Sequence, residues 1–191
     1  MTQPIGEVVH QVVGSTHFTS GEFDNENEAE VAFDCAARQS GLFSRICRQV
    51  DGFYMQPKYE QERPGCIIDR ILLPADHLKK EMGWDQGPIG VEIKKSGHKL
   101  GRAVCQCLDY QRAVFDVGGN YLVKPRWVFL FPLESVGGDI ESVMLQHRIG
   151  AVAIRRGSLD FRAGAMHLIW KNGEQWEVRN PPNMGNKVGS R

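Results

Sequence analysis

Between Cys66 and Leu73 the chain reads Cys-Ile-Ile-Asp-Arg-Ile-Leu-Leu, a β-prone apolar run that Pro74 ends. One carboxylate, Asp69, interrupts it. A carboxylate in such a strand costs free energy unless it is hydrogen-bonded, ion-paired or bound to a metal. Any fold that takes up this strand must therefore give Asp69 a partner. Pro88 to Lys94 is a second strand of this kind and carries Glu92 and Lys94. Two residues apart on a strand, both side chains leave one face, with Ile93 directed to the core. If the two strands are neighbours, Asp69 and Glu92 converge on one point. Hard oxygen ligands with spare water positions suit Mg²⁺ or Mn²⁺. Lys94 would stand beside that ion, able to orient a water molecule or stabilise developing negative charge.

Helical signals surround these strands. Asn25 or Asn27 can cap a helix whose first turn holds Glu26, Glu28 and Glu30, at the positive end of the dipole. Ala29, Ala32, Phe33, Ala36 and Ala37 follow at helical spacing, and Gly41 ends the segment. A strand is expected from Leu42 to Tyr54, a polar turn from Gln56 to Gly65, and a short helix over 76–82. Lys99 to Val117 reads as one long helix closed by Gly118-Gly119. Trp127 to Phe131 is apolar on both faces, hence a central strand. A further helix is expected over 139–149. Asn172-Gly173 marks the turn of a C-terminal hairpin, with Trp170 and Trp176 stacking across it. The expected fold is α/β (α+β): a mixed β-sheet flanked by helices, with that hairpin at the end. Residues 1–25 read as an extended lead-in, 26–180 as a single domain and 181–191 as a flexible tail.

Composition narrows the class. The chain has 191 residues, 41% hydrophobic and 24% charged, which suits an ordinary globular domain rather than a disordered or fibrous one. No run approaches the ~18 apolar residues of a membrane span, and no basic-then-apolar leader opens the chain, so a cytoplasmic protein without membrane attachment is expected. Lys and Arg number 23 and Asp and Glu 23, so nucleic-acid binding must rest on a local patch. The five cysteines include no Cys-x-x-Cys, which disfavours zinc and thioredoxin-type chemistry; an iron–sulfur cluster is disfavoured too. Signatures of a P-loop, an α/β-hydrolase serine and a zincin helix are absent.

Downstream of Lys94, Gln106 and Tyr110 stand four apart and share a helix face. Lys95, His98, Lys99 and Arg102 just before them form a cationic patch able to hold phosphates. The order is an acid in a strand, then acid-x-Lys, then Gln-x-x-x-Tyr on the next helix. It resembles the PD-(D/E)XK nuclease superfamily, specifically the RecB-type branch, through Asp69, Glu92-Ile93-Lys94 and Gln106-Cys107-Leu108-Asp109-Tyr110. The likeness covers roughly residues 26–131. Two departures stand out: Ile68 replaces the proline of the motif, and the segment between the two acids is long.

The resemblance implies a restriction-endonuclease-like core and a Mg²⁺-dependent (or Mn²⁺-dependent) deoxyribonuclease. Asp69 and Glu92 would be metal ligands together with the Ile93 backbone carbonyl, and Lys94 would position the attacking water. Gln106 and Tyr110 would contact the DNA backbone or order the site, and Glu30 would hold a metal-bound water. A chain this small would act on ends, branches or single strands, or take its targeting from a protein partner.

Each residue alone has a plainer reading. Asp69 would pair with Arg70 or Arg45, Glu92 and Lys94 would be a weak surface pair, Gln106 and Tyr110 helix decoration, and Glu30 a complement to the helix dipole. Only the joint pattern favours the nuclease. The alternatives are a non-catalytic nucleic-acid-binding or assembly module on the same fold, and an unrelated α/β protein.

Overall fold

The structure is a computed structural model, and it describes residues 22–54, 65–77, 87–133, 136, 139–155, 157–163, 166–171 and 175–179. Asn25 caps the first helix, α1 (Glu26–Gln39), its side chain accepting from the Glu28 N–H at 2.9 Å. Glu26 and Glu28 sit in its first turn, and Gly41 takes a left-handed φ of 65° just beyond its end. Ala29, Ala32, Phe33, Ala36 and Ala37 form its buried stripe.

The other elements are β1 (Phe43–Tyr54), β2 (Cys66–Pro74), β3 (Ile89–Ile93), α2 (Leu100–Tyr110), β4 (Ala113–Asp116) and β5 (Leu122–Val123). They continue with β6 (Trp127–Phe131), α3 (Asp139–Gln146), β7 (Ile149–Arg155), β8 (Ser158–Ala163), β9 (Met166–Lys171) and β10 (Gln175–Arg179). Among the described residues these ten strands form one mixed sheet in the order β10-β9-β8-β7-β6-β3-β2-β1-β4-β5. The pairs β3/β6 and β6/β7 are parallel and the rest antiparallel. The fold is α+β. No described helix is long and apolar enough to cross a membrane.

Each face of the sheet has its own core. Leu72, Ile89, Val91, Ile93, Trp127, Phe129 and Phe131 pack with the α1 stripe. Phe131 lies 5.2 Å from Phe33 between ring centroids and 5.5 Å from Phe23. Phe23 falls within the expected lead-in, yet it is buried and exchanges two hydrogen bonds with Ser96. On the other face Ile71, Val128 and Leu130 pack with Ala103, Val104, Cys107 and Tyr110 of α2 and Met144 of α3. Each fully buried Phe, Leu or Ile contributes about 1.5–3 kcal/mol, so both helices are held mainly by these faces. Gly90 permits close approach on the α2 side: a Cβ there would meet Ile68 at 2.8 Å and Val128 at 3.2 Å.

β1 and β2 share a local irregularity. Cys47 and Val50, three apart, both reach the α2-side core, and so do Ile68 and Ile71. Strict alternation would send such pairs to opposite faces. The break falls at Gln49 and Asp69, and Gln49 has a left-handed φ of 45°. The kink turns Asp69 to the α2 face while Arg70 lies against α1.

Two expectations need correction. The helix expected from Lys99 to Val117 stops at Tyr110, and Ala113–Asp116 is strand β4, paired with β1. Alternating Ala113 and Phe115 bury in the sheet, and sheet pairing outweighs helical continuity there. The helix expected over 139–149 ends at Gln146, because Ile149 opens the buried parallel strand β7. β7 and β8 pair antiparallel, and Arg155 and Arg162 converge on the buried Asp160 at 3.3 and 2.7 Å. The C-terminal hairpin pairs Trp170 with Trp176 in register. Their side chains, the expected polar turn over 56–64, most of the 76–82 helix and the tail 181–191 lie outside what is described.

Candidate functional site

The β2/β3 ladder runs from Leu72↔Ile89 to Arg70↔Val91 and then ends. One further step of that register sets Asp69 opposite Glu92, on the same face. At this fork a side chain replaces the main-chain partner: the Ile93 N–H donates to Asp69 Oδ2 at 2.7 Å. On the other flank the register Arg48↔Arg70 and Val50↔Ile68 brackets Gln49 against Asp69. The Gln49 amide donates to Asp69 Oδ1 at 3.1 Å. Asp69 is thus satisfied by two amide donors. Arg70 turns away from its carboxylate and gives only an N–H to its main-chain oxygen, at 2.7 Å.

Glu92 is 2% exposed. Its Oε1 lies 2.5 Å from Lys94 Nζ, and its Oε2 accepts from the Tyr110 hydroxyl at 2.9 Å. Tyr110 gets there because Ala103, Cys107 and Tyr110 stand three and four apart and seat one stripe of α2 on the sheet. Burial, then the negative charge of Asp69, pushes the Glu92 carboxyl up to about 7, against the pull of Lys94 and Tyr110. Burial would lower the Lys94 pKa, but Glu92, then Asp69 and Glu26, hold it above the ordinary lysine value. Lys94 is therefore a cation and a proton donor at neutral pH. Burial and Glu92 raise the Tyr110 hydroxyl, so it stays neutral. Cys107 is fully buried, and burial followed by Glu92 keeps it a thiol.

A pocket of about 330 Å³ opens at the C-terminal end of β3, lined by Glu26, Lys94, His98, Lys99, Arg102 and Gln106 among others. Three of the four cations singled out in the sequence meet there. The fourth, Lys95, is exposed and offers its carbonyl to His98 Nδ1 at 3.1 Å. His98 Nε2 is buried with no partner among the described residues.

The structure thus brings together Asp69, Glu92, Lys94 and Tyr110, with the Ile93 main chain at the fork and Gln106 in the adjoining pocket. Glu30 sits elsewhere. It lies 2.8 Å from Arg70 Nη2, in a network where Arg70 also grips Asp34 at 2.7 and 3.2 Å and Arg48 reaches Asp34 at 2.6 Å. Glu26, one helical turn earlier, is the acid of α1 that approaches Lys94, at 3.8 Å.

Sequence reasoning passed over Gln49, Glu26 and Cys107. Glu26 shares a face with Glu30, four positions on, so the helix pattern contained it. Gln49 becomes visible only through the β1/β2 register, and Cys107 only through the seating of α2.

Among the described residues no three His, Cys, Asp or Glu side chains gather around one point. Asp69 and Glu92 are two carboxylates, and among the described residues each of their four oxygens accepts one hydrogen bond, which leaves it a second lone pair. Their proximity is itself unfavourable, as the Glu92 shift records. A hard divalent cation with a main-chain oxygen and waters completing its shell fits this donor set. No family model matches the chain, and no curated protein or solved structure matches it either.

Proposed function

We propose that the chain is a Mg²⁺- or Mn²⁺-dependent DNA nuclease with a restriction-endonuclease-like core and a PD-(D/E)XK site. The observation that carries this is the fork where β2 and β3 separate: two acids from adjacent strands face one side of the sheet, with a protonated lysine on one of them. Asp69, Glu92 and the Ile93 carbonyl would hold the cation. When bound, it supplies charge neutralisation at the phosphate and lowers the pKa of a coordinated water.

The chain's own groups do the rest. Lys94 keeps its proton, orients the attacking water and donates toward a phosphoryl oxygen. Tyr110 fixes the Glu92 carboxylate from behind. His98, Lys99, Arg102 and Gln106 hold DNA phosphates in the pocket beside Lys94, and Lys95 adds charge at its rim. Gln49 holds Asp69 in place. Glu30 acts at a distance by fixing Arg70 next to Asp69.

Purified protein incubated with linear, circular, single-stranded and branched DNA, with and without Mg²⁺, tests this reading. Metal-dependent cleavage is expected, and Asp69→Ala or Lys94→Ala should abolish it with the fold intact. A double variant that cuts at the wild-type rate overturns it. The zero net charge favours a second reading, a DNA-binding module without turnover; DNA binding with no Mg²⁺ uptake by calorimetry would select it.

A further inference from the structure

A second cationic pocket lies at the other end of α2. It has a volume of about 600 Å³, and its polar lining comprises Gln111, Lys124, Arg126, Gln146, His147 and Arg148. Among the described residues no carboxylate lines it, although the chain as a whole is neutral. Lys124, Arg126 and Arg148 are exposed, and among the described residues none of them is ion-paired. Such a cluster of cations raises the local potential and favours a polyanion.

The pocket is also built rather than incidental. The Arg148 carbonyl accepts from the Gln111 side chain at 3.3 Å and from the Val128 N–H at 3.1 Å. The Arg126 N–H donates to the Pro88 carbonyl at 3.3 Å. These bonds lock the end of α2, the turn before β7 and the entry to β6 and β3 into one surface. Arg148 holds a φ of 53°, a conformation in which glycine is the usual residue.

Lys99 lines the pocket beside Lys94, and Gln111 lines this one. Twelve residues of helical rise separate them, about 18 Å. Phosphates on one strand of a duplex advance about 3.4 Å per nucleotide, so that span corresponds to about five nucleotides.

We propose that Lys124, Arg126 and Arg148 form a second backbone-phosphate site, engaging the same DNA about five nucleotides from the Lys94 pocket. This rests on the nucleic-acid reading above and adds a footprint to it. Two separated contacts make affinity depend on duplex length, and each neutralised phosphate steepens the salt dependence.

The test is fluorescence anisotropy in EDTA, using labelled DNA hairpins with stems of about 4, 8 and 12 base pairs at low and moderate salt. Affinity should rise at least about tenfold from the shortest to the middle stem and then level off. Lys124→Gln/Arg126→Gln should remove that gain and lower the log K against log salt slope by about 2. Thermal unfolding of the variant checks its fold, which two exposed substitutions should leave unchanged. Wild-type affinity and slope in the variant overturn the second site, as does affinity independent of stem length. Mg²⁺-dependent cleavage is scored separately. Length-dependent binding without cleavage keeps the second site and removes the nuclease. Cleavage with variant-insensitive binding does the reverse. No binding of any hairpin overturns the second site, and the absence of cleavage as well overturns the nuclease.

Discussion

The Tyr110 hydroxyl lies 2.9 Å from Glu92 Oε2 and 2.9 Å from the Ile67 carbonyl oxygen. It has one proton for two acceptors. When Glu92 is ionised, only one acceptor is served at a time. When Glu92 is protonated it donates to Tyr110, and Tyr110 donates to Ile67, so every group is satisfied. The arrangement therefore accommodates both protonation states of Glu92 without moving a side chain. Tyr110→Phe removes this bridge. Because the Tyr110 bond lowers the Glu92 pKa, the variant should titrate Glu92 above about 7. Stability should fall by about 1–3 kcal/mol, the usual cost of leaving a buried polar group without its partner. Carbon-13 NMR of the Glu92 carboxyl and urea unfolding read the two effects.

The raised Glu92 carboxyl also sets a pH dependence. It moves from 4.5 to about 7 on folding, so between those values the folded state binds the proton and the unfolded state does not. The contribution to stability is fully present below pH 4.5 and is lost as pH rises through about 7. Asp69 is the second cause of the shift, after burial. Asp69→Asn should lower the Glu92 pKa, so the decline in stability is completed at a lower pH than in the wild type. Chemical denaturation across that range distinguishes the curves; superimposable profiles would show that Asp69 and Glu92 do not interact.

Much of this was legible in the residues. Asn25, the Ala/Phe stripe and Gly41 marked α1, and the apolar runs marked β2, β3 and β6 within a residue or two. Glu92-x-Lys94 put two side chains on one strand face because period two requires it. What was hidden depends on partners distant in sequence. Helical spacing alone did not stop α2 at Tyr110, since the demand on Ala113 and Phe115 comes from β1. The kink at Gln49 and Asp69 is a joint property of two strands. Glu30 and Glu26 look equivalent along α1; the approach of Arg70 to Glu30 and of Lys94 to Glu26 separates them.

That separation is testable. Arg70 is 1% exposed and shares its guanidinium between Asp34 and Glu30. Arg70→Met leaves the buried Asp34 carboxylate with Arg48 as its one remaining ion-pair partner among the described residues and should cost about 3–5 kcal/mol. Glu30 is partly exposed, so Glu30→Gln keeps a hydrogen-bonding group in place and should cost no more than about 1 kcal/mol. DNA cleavage by Glu30→Gln should stay close to wild type, which the direct water-holding role implied by the family resemblance would forbid. Urea unfolding and a cleavage time course measure both.

Lys94 can be separated from the proposed metal ligands by charge. Its ammonium pairs with Glu92, so it would repel a divalent cation held on that carboxylate while lowering the Glu92 pKa. Lys94→Met should therefore raise the Glu92 carboxyl above about 7 and weaken Mg²⁺ binding near neutrality, where the proton competes. At a pH well above the Glu92 pKa of each protein the carboxylate is ionised in both, and the repulsion is what remains. There the variant should bind Mg²⁺ more tightly than the wild type and still cleave DNA at least about 100-fold more slowly, the scale for losing one positioned donor in a transition state. Calorimetric Mg²⁺ titration at the two pH values, set beside the cleavage rate, gives the crossing pattern. Weaker binding by the variant at both values would make Lys94 a structural prop for Glu92 and remove it from the chemistry.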